Sequence, residues 1–273
     1  MKLISSRTVT CTVGMLLLST MTGCFGVQLG TMKPGEMTWV QTNTTQPRAG
    51  HAYLIRGLIG LFSYGIDRMT EKVAASGVAA HVFQEDQTAI LGKTIVDKYK
   101  AQRDNHEPIV LIGHSLGADD AIKIAKMLQK ENIQVDLLVC VDATRPPQVP
   151  GNVKLCYNYY QPSIFDGTGI LRGVALELEP GTKTVIYNYN IRGERKDLLE
   201  WDTNHVNIDK NTKIHADIVK HVMEVCPSRA QWVAAHGGPS LVLSPVPVKK
   251  TTPATQPGVQ TISNSAAGSP GGM

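Results

Sequence analysis

No alanine precedes Ala49 in this chain of 273 residues, so an export signal of the ordinary kind, cut behind an Ala-x-Ala-like site, has nowhere to be cut. Cysteine is scarce, with five in all, and neither a Cys-x-x-Cys pair nor a histidine cluster of ligand spacing occurs. That leaves a structural metal without support, and none is expected. An excess of one charge is lacking as well. Lys and Arg number 27 against 23 Asp and Glu, a net charge of +4, and the basic residues are scattered. There is no arginine-rich helix and no platform of interleaved aromatics, which excludes nucleic acid as an expected partner. The apolar stretch from Val9 to Met21, centred on Met15-Leu16-Leu17-Leu18, is too short to span a bilayer. What remains, 42% hydrophobic and 18% charged, is the composition of one globular domain with a full core.

One segment makes strong local demands. Pro108-Ile109-Val110-Leu111-Ile112-Gly113-His114-Ser115-Leu116-Gly117 is an apolar run that stops in a Gly-x-Ser-x-Gly pentapeptide. Beyond it Leu116, Ala121, Ile122, Ala125 and Leu128 recur at helical spacing. Strand, tight turn and helix therefore follow one another, and a serine at such a turn must hold a strained backbone. The residues two places to either side must be small for strand and helix to approach, a demand that Gly113 and Gly117 meet. The turn lifts the Ser115 hydroxyl clear of the sheet and lets the amide of Leu116 point at a developing oxyanion. In form this is a nucleophile elbow, with Ser115 the candidate nucleophile.

At the N-terminus Lys2 and Arg7 give a positive start before the apolar stretch, the pattern of a signal peptide over residues 1–23. Met21-Thr22-Gly23-Cys24 follows and resembles the lipobox of bacterial lipoproteins, with Met21 in place of the more usual leucine. The resemblance implies that Cys24 becomes a lipidated first residue whose several acyl chains anchor the protein to the membrane of the cell envelope. Phe25 follows the cysteine where an aspartate does not, which favours the outer membrane if the host has one. The alternative is a plain secretory signal with a chance cysteine. Residues 24–49 are expected as a lipidated N-terminus and tether, with Met37-Thr38-Trp39-Val40 as a docking point. The domain is placed at 50–228, and a disordered tail at 229–273, where proline, glycine, serine and threonine dominate from Gly237 onward. Once Cys11 is removed and Cys24 lipidated, Cys140, Cys156 and Cys226 remain; an odd number cannot all pair. The first two lie in strand-like runs, where cysteine serves as a small buried hydrophobe.

Within the domain, Ala52-Tyr53-Leu54-Ile55 reads as a buried strand running into the turn Arg56-Gly57-Leu58-Ile59-Gly60. Ile66, Met69, Val73 and Ala74 mark a helix stopped by Gly77. Val78 to Phe83 is the next strand and Thr88 to Arg103 the next helix. After the elbow, Asn132 closes its helix and Val135 to Val141 is apolar enough to be covered on both faces. Val153 to Tyr159 and Thr184 to Ile191 are further strands, and Lys210 to Cys226 a closing helix with Ile214, Ile218, Val222 and Val225 on one side. This alternation predicts an α/β fold with a mainly parallel central sheet and helices on both faces, its function at the carboxyl ends of the strands.

A serine hydroxyl needs a histidine to take its proton and a carboxylate to orient that histidine. Of eight histidines, His205 stands out, because Asp202-Thr203-Asn204-His205-Val206-Asn207-Ile208 is a polar loop between the last strand and the last helix. His51, His114, His215 and His221 read as satisfied structural residues, the last two on the polar face of the closing helix. For the acid, Asp142 ends the strand after the elbow helix; Asp166 and Asp202 are the competitors. Asp119 and Asp120 read as capping and solvation in the elbow helix's first turn. The glycine-rich turn after the first strand is where a second oxyanion amide belongs, at Gly57 to Leu58.

Gly-His-Ser-Leu-Gly after an apolar strand, a strand-end Asp142 and a late His205 resemble the α/β-hydrolase superfamily over residues 50–226. Ile55 to Ser63 with Gly65-Ile66-Asp67, Val153 to Gln161, and His205-Val206-Asn207-Ile208-Asp209-Lys210 are similar to a group of small bacterial lipase or thioesterase-like hydrolases. The resemblance implies a compact α/β-hydrolase fold, Ser115 as nucleophile, His205 as base, Asp142 as acid, and Leu58 and Leu116 as oxyanion amide donors. Arg56 stands where many members have histidine before the glycine, and the stretch from Pro162 to Thr182 is longer than usual. The expected activity is hydrolysis of a small carboxylic ester or thioester by a monomer with no cofactor. The alternatives are a non-catalytic envelope lipoprotein using the fold as a binding module and an acyltransferase with the same triad. Tyr157 to Phe165 reads either as an acyl-pocket lining or as core.

Overall fold

A computed structural model of the chain describes residues 40–57, 63–102, 105–162 and 173–236. The signal peptide, Cys24, Leu58, Asp166 and the segment beyond residue 236 lie outside the described residues. Strands are β1 (His51–Ile55), β2 (Ala79–Phe83), β3 (Ile109–His114), β4 (Val135–Val141), β5 (Val153–Tyr160) and β6 (Val185–Asn190). Helices are α1 (Tyr64–Ala75), α2 (Thr88–Tyr99), α3 (Leu116–Lys130), α4 (Thr212–Val225) and α5 (Arg229–His236).

The strands form one six-stranded sheet in the order β2-β1-β3-β4-β5-β6, with every neighbouring pair parallel. Parallel neighbours need crossover connections; α1, α2 and α3 supply those of the first four strands, and together with α4, which follows β6, they cover both faces. On one face Ile66, Met69 and Val73 of α1 and Ile214, Ile218 and Val222 of α4 pack with Leu54, Val110, Ile112, Leu137 and Val139. On the other, Leu91 and Ile95 of α2 and Ala118, Ile122, Ala125 and Leu128 of α3 pack with Tyr53, Ile55, Leu111, Leu138 and Cys140. Alternate residues of each strand thus serve opposite layers, and β3 is buried from end to end. The architecture is that of the α/β-hydrolase fold.

From β1 the chain crosses to β2 on one side, and from β3 to β4 on the other, so the direction of winding changes between β1 and β3. In open α/β sheets the crevice at such a switch point, beyond the strands' carboxyl ends, is where ligands bind. Register aligns Ile55 with Gly113, which brings the turn after β1 beside the turn after β3.

Several boundaries differ from the expected ones. The second helix ends at Tyr99 and continues as a 3-10 turn, Lys100–Gln102. The closing helix begins at Thr212, behind the 3-10 turn Ile208–Lys210, because Asn211 caps it by accepting the amides of Lys213 and Ile214, each at 3.0 Å. Residues 229–236, expected in the tail, form α5. Trp232 is buried, the Arg229 guanidinium pairs with the buried Glu107, and the Arg229 amide donates to Pro47 O at 2.8 Å. The composition that marked the tail starts only at Gly237, so this helix had no reason to be grouped with it. Residues 40–49, expected in the tether, run against the domain as well. Val40 packs on the core, the Asn43 side chain donates to Ala75 O at 3.1 Å, and Arg48 bridges to Ser228. Cys140, Cys156 and Cys226 are free and buried, and burial pushes all three thiols up.

Candidate active site

Ser115 sits between the last residue of β3 and the first of α3 with φ 56° and ψ −123°, the strained backbone that the elbow requires. A side chain at Gly113 would strike the backbone of Gly117, and one at Gly117 would strike the carbonyls of Ile55 and Arg56, so neither position admits a Cβ. The Ser115 amide donates to Val141 O at 2.9 Å, which ties the turn to the end of β4.

Asp142 follows that strand end directly. Its amide donates to Tyr159 O at 2.7 Å, and its φ of 53° turns the chain out of the sheet so that the carboxylate faces the catalytic edge. His205 Nδ1 lies 2.8 Å from Asp142 Oδ2, and His205 Nε2 lies 3.0 Å from Ser115 Oγ. A carboxylate only accepts, so Nδ1 carries the proton and Nε2 is left to receive that of the serine hydroxyl. The other carboxylate oxygen of Asp142 accepts the Gln161 amide at 2.8 Å. Asp142 is fully buried, Ser115 is 7% exposed and His205 9% exposed. The three side chains form a connected Ser-His-Asp triad, and the structure assigns the acid to Asp142. Asp202 shapes the loop instead, its main-chain oxygen accepting from the side chains of Asn204 and Asn207 at 3.0 and 2.8 Å.

The loop carrying His205 is held from several sides. Arg192 donates to Thr203 O at 2.5 Å and to Gln161 Oε1 at 2.9 Å, which joins this loop to the one that supports Asp142. Asn211 donates to Leu198 O and to Thr203 Oγ1 at 2.8 and 3.2 Å. Asp209 accepts the Gly65 amide in the first turn of α1 at 2.8 Å, and burial raises its carboxyl to about 6.

Leu116 is the first residue of α3, where helical amides have no partner within the helix. Gly57 is differently placed from its expected role, since its amide donates to Ser63 Oγ at 3.0 Å and is no longer free for an oxyanion. Asp119 and Asp120 are buried rather than solvated. Asp119 accepts the Arg145 amide at 2.9 Å and the Thr144 hydroxyl at 3.2 Å, and Asp120 accepts the Thr88 hydroxyl at 2.7 Å. These bonds tie the elbow helix to its neighbours, and burial raises the Asp119 carboxyl.

The two histidines of the closing helix are packed and hydrogen-bonded. His215 is buried with Nε2 2.5 Å from Asp209 O, and His221 stacks on Tyr157 and meets Glu224 at 2.9 Å, so neither lies on a solvated face. Tyr159 is fully buried with its hydroxyl on Asp217 at 2.8 Å, and Tyr157 stacks on Tyr187. Both tyrosines belong to the packing between sheet and α4, which removes them as a pocket lining. Two contributors escaped the sequence reading. His114 links two loops at the site, and Gly173 packs so closely on Asp142 that a Cβ would overlap Oδ1. No local pattern marks Gly173, which reaches Asp142 only after the chain has looped back.

No family model and no curated protein matches the chain. Solved structures to which the chain is similar include the RedJ thioesterase from the prodiginine pathway in Streptomyces coelicolor, at 12% identity, covering 71% of this chain and 95% of that one, with a TM-score of 0.39. The NocB thioesterase domain from the nocardicin cluster is similar at 13% identity, covering 63% and 94%, with a TM-score of 0.37. YbtT, a type II thioesterase from the yersiniabactin pathway, matches at 10% identity, covering 69% and 98%, with a TM-score of 0.36.

Proposed function

We propose that this chain hydrolyses small carboxylic esters or thioesters through an acyl-enzyme. The observation that carries the reading is the unbroken hydrogen-bond path from Ser115 Oγ to His205 Nε2 and from His205 Nδ1 to Asp142, at 3.0 and 2.8 Å. As Ser115 Oγ bonds to the substrate's carbonyl carbon, its proton passes to His205 Nε2, and Asp142 stabilises the imidazolium. The amides of Leu116 and Leu58 are assigned to the oxyanion. Collapse of the tetrahedral adduct breaks the bond to the alcohol or thiol, which leaves with the proton from His205. Water then repeats the sequence at the acyl carbon and frees Ser115.

Fluorophosphonate labelling of wild type, Ser115→Ala and His205→Ala tests the chemistry. Label on wild type alone is the expected result, after which ester and thioester series rank the substrates. A folded wild-type chain that takes no label returns the fold to the role of a binding module. We assign the protein, on the sequence Met21 to Cys24, to the bacterial envelope as a lipid-anchored protein. Cys24→Ser is expected to move it from the membrane fraction to the soluble one, and unchanged fractionation overturns the anchor.

A further inference from the structure

The residue before the nucleophile has each of its ring nitrogens engaged by a different loop. His114 Nδ1 lies 2.8 Å from Ser63 Oγ, and His114 Nε2 lies 3.0 Å from the backbone oxygen of His205. A carbonyl oxygen can only accept, so Nε2 carries the ring proton and Nδ1 accepts the Ser63 hydroxyl. Ser63 Oγ accepts in turn from the Gly57 amide. The proton positions are therefore determined along the whole path from Gly57 through Ser63 and His114 to His205. Ser63 is 1% exposed and His114 2%, so no water competes for these bonds.

His205 is consequently held at three points. Asp142 fixes the rotation of its ring, Ser115 faces its free nitrogen, and His114 holds its main chain. Because His114 and Ser115 are consecutive, this last bond ties the base-bearing loop to the same strand end that presents the nucleophile. A loop that slid relative to β3 would have to break it. The ring of His114 lies 5.5 Å from that of His205, where a second positive charge would oppose the imidazolium formed in catalysis. Burial and the nearness of His205 push His114 down to about 3, which keeps it neutral.

We propose that His114, oriented by Ser63, is a positioning residue that sets the distance between His205 and Ser115. The proposal rests on the hydrolase reading above. A glutamine amide nitrogen reaches about as far from the backbone as Nε2 does, whereas an asparagine amide reaches only as far as Nδ1. His114→Gln can therefore keep the bond to the His205 carbonyl, and His114→Asn and His114→Ala cannot. With p-nitrophenyl butyrate as substrate and kcat taken per fluorophosphonate-titrated site, His114→Gln is expected within about threefold of wild type. The other two are expected to lose about tenfold or more in kcat with KM nearly unchanged, as misplacement of a reacting group predicts. Equal kcat for the Gln and Asn variants, whether both normal or both low, overturns the proposal, since a residue that only fills space does not distinguish them.

Should the variants fail to fold, the imidazole ¹⁵N spectrum of the wild-type chain at pH 7 decides. His114 protonated at Nε2 alone is expected; protonation at Nδ1 overturns the proposal. A wild-type chain that does not label with fluorophosphonate fails as a hydrolase, and this proposal fails with it. A chain that labels but carries the Nδ1 proton fails only here.

Discussion

Asp142 meets two demands at once, a left-handed backbone at φ 53° and full burial of a carboxylate. Aspartate and asparagine tolerate that backbone better than most residues. Asp142→Asn should therefore keep the fold while losing the charge that orients His205 Nδ1–H. The expected result is a fall in kcat of about 10⁴-fold with little change in thermal midpoint, measured on the same ester. Gly173 makes a subtler case. A methyl group there overlaps Asp142 Oδ1, so Gly173→Ala should displace the carboxylate and lower kcat by roughly 100-fold. Wild-type turnover in that variant would show that the carboxylate has room to move. Ser115 and Asp142 were legible in the chain because each follows a strand whose apolar run announces its end, and His205 because a polar loop separates the last strand from the last helix. Gly173 was not, because its requirement comes from a neighbour that only the folded path supplies.

Among the elements, the strands were the easiest to read. Burial on both faces leaves β3 and β4 almost continuously apolar, and no helix-period pattern competes with that. Helix ends were harder, since capping depends on where a side chain turns. Asn211 shows this: its side chain accepts two amides of α4 and donates to Leu198 O and Thr203 Oγ1, closing the His205 loop onto the helix. Asn211→Ala removes all four bonds in a buried setting and is expected to cost about 2 kcal/mol, read as a lower urea midpoint. A loss under about 0.5 kcal/mol would mean that water replaces the cap. The last helix, α5, was missed because its hold is tertiary. Arg229 finds Glu107 from the far side of the sequence, and no local pattern records that pairing.

For the molecule as a whole, four histidines, His114 and His215 buried and His51 and His81 half-buried, shape the response to acid. His51 and His114 are pushed down to about 3, and His81 and His215 to about 4, in each case chiefly by burial. Unfolded, each binds its proton near 6.5. Between those values the unfolded chain holds more protons than the folded one, so stability falls as pH drops from about 7 toward 4, by up to roughly 1.4 kcal/mol per pH unit for each histidine. Asp209, raised to about 6, works in the opposite sense below that pH and offsets part of the loss. Urea midpoints at pH 7.5 and pH 5 should therefore differ, the lower value at pH 5; equal midpoints would mean these rings are already protonated in the fold.

The bridge between Arg48 and Ser228 has a consequence of a different kind. Together with the bond from the Ala49 amide to Pro227 O, it brings the start of the first strand and the end of α4 side by side, at the edge of the sheet where the strands begin. The catalytic serine, histidine and aspartate occupy the opposite edge. A circular permutant whose linker runs from the end of α5 back to residue 40, with new ends opened in a surface loop elsewhere, would keep this bridge and the sheet order and leave the approach to Ser115 clear. The domain is in this sense a closed ring of structure with a single seam, and the seam faces away from the chemistry.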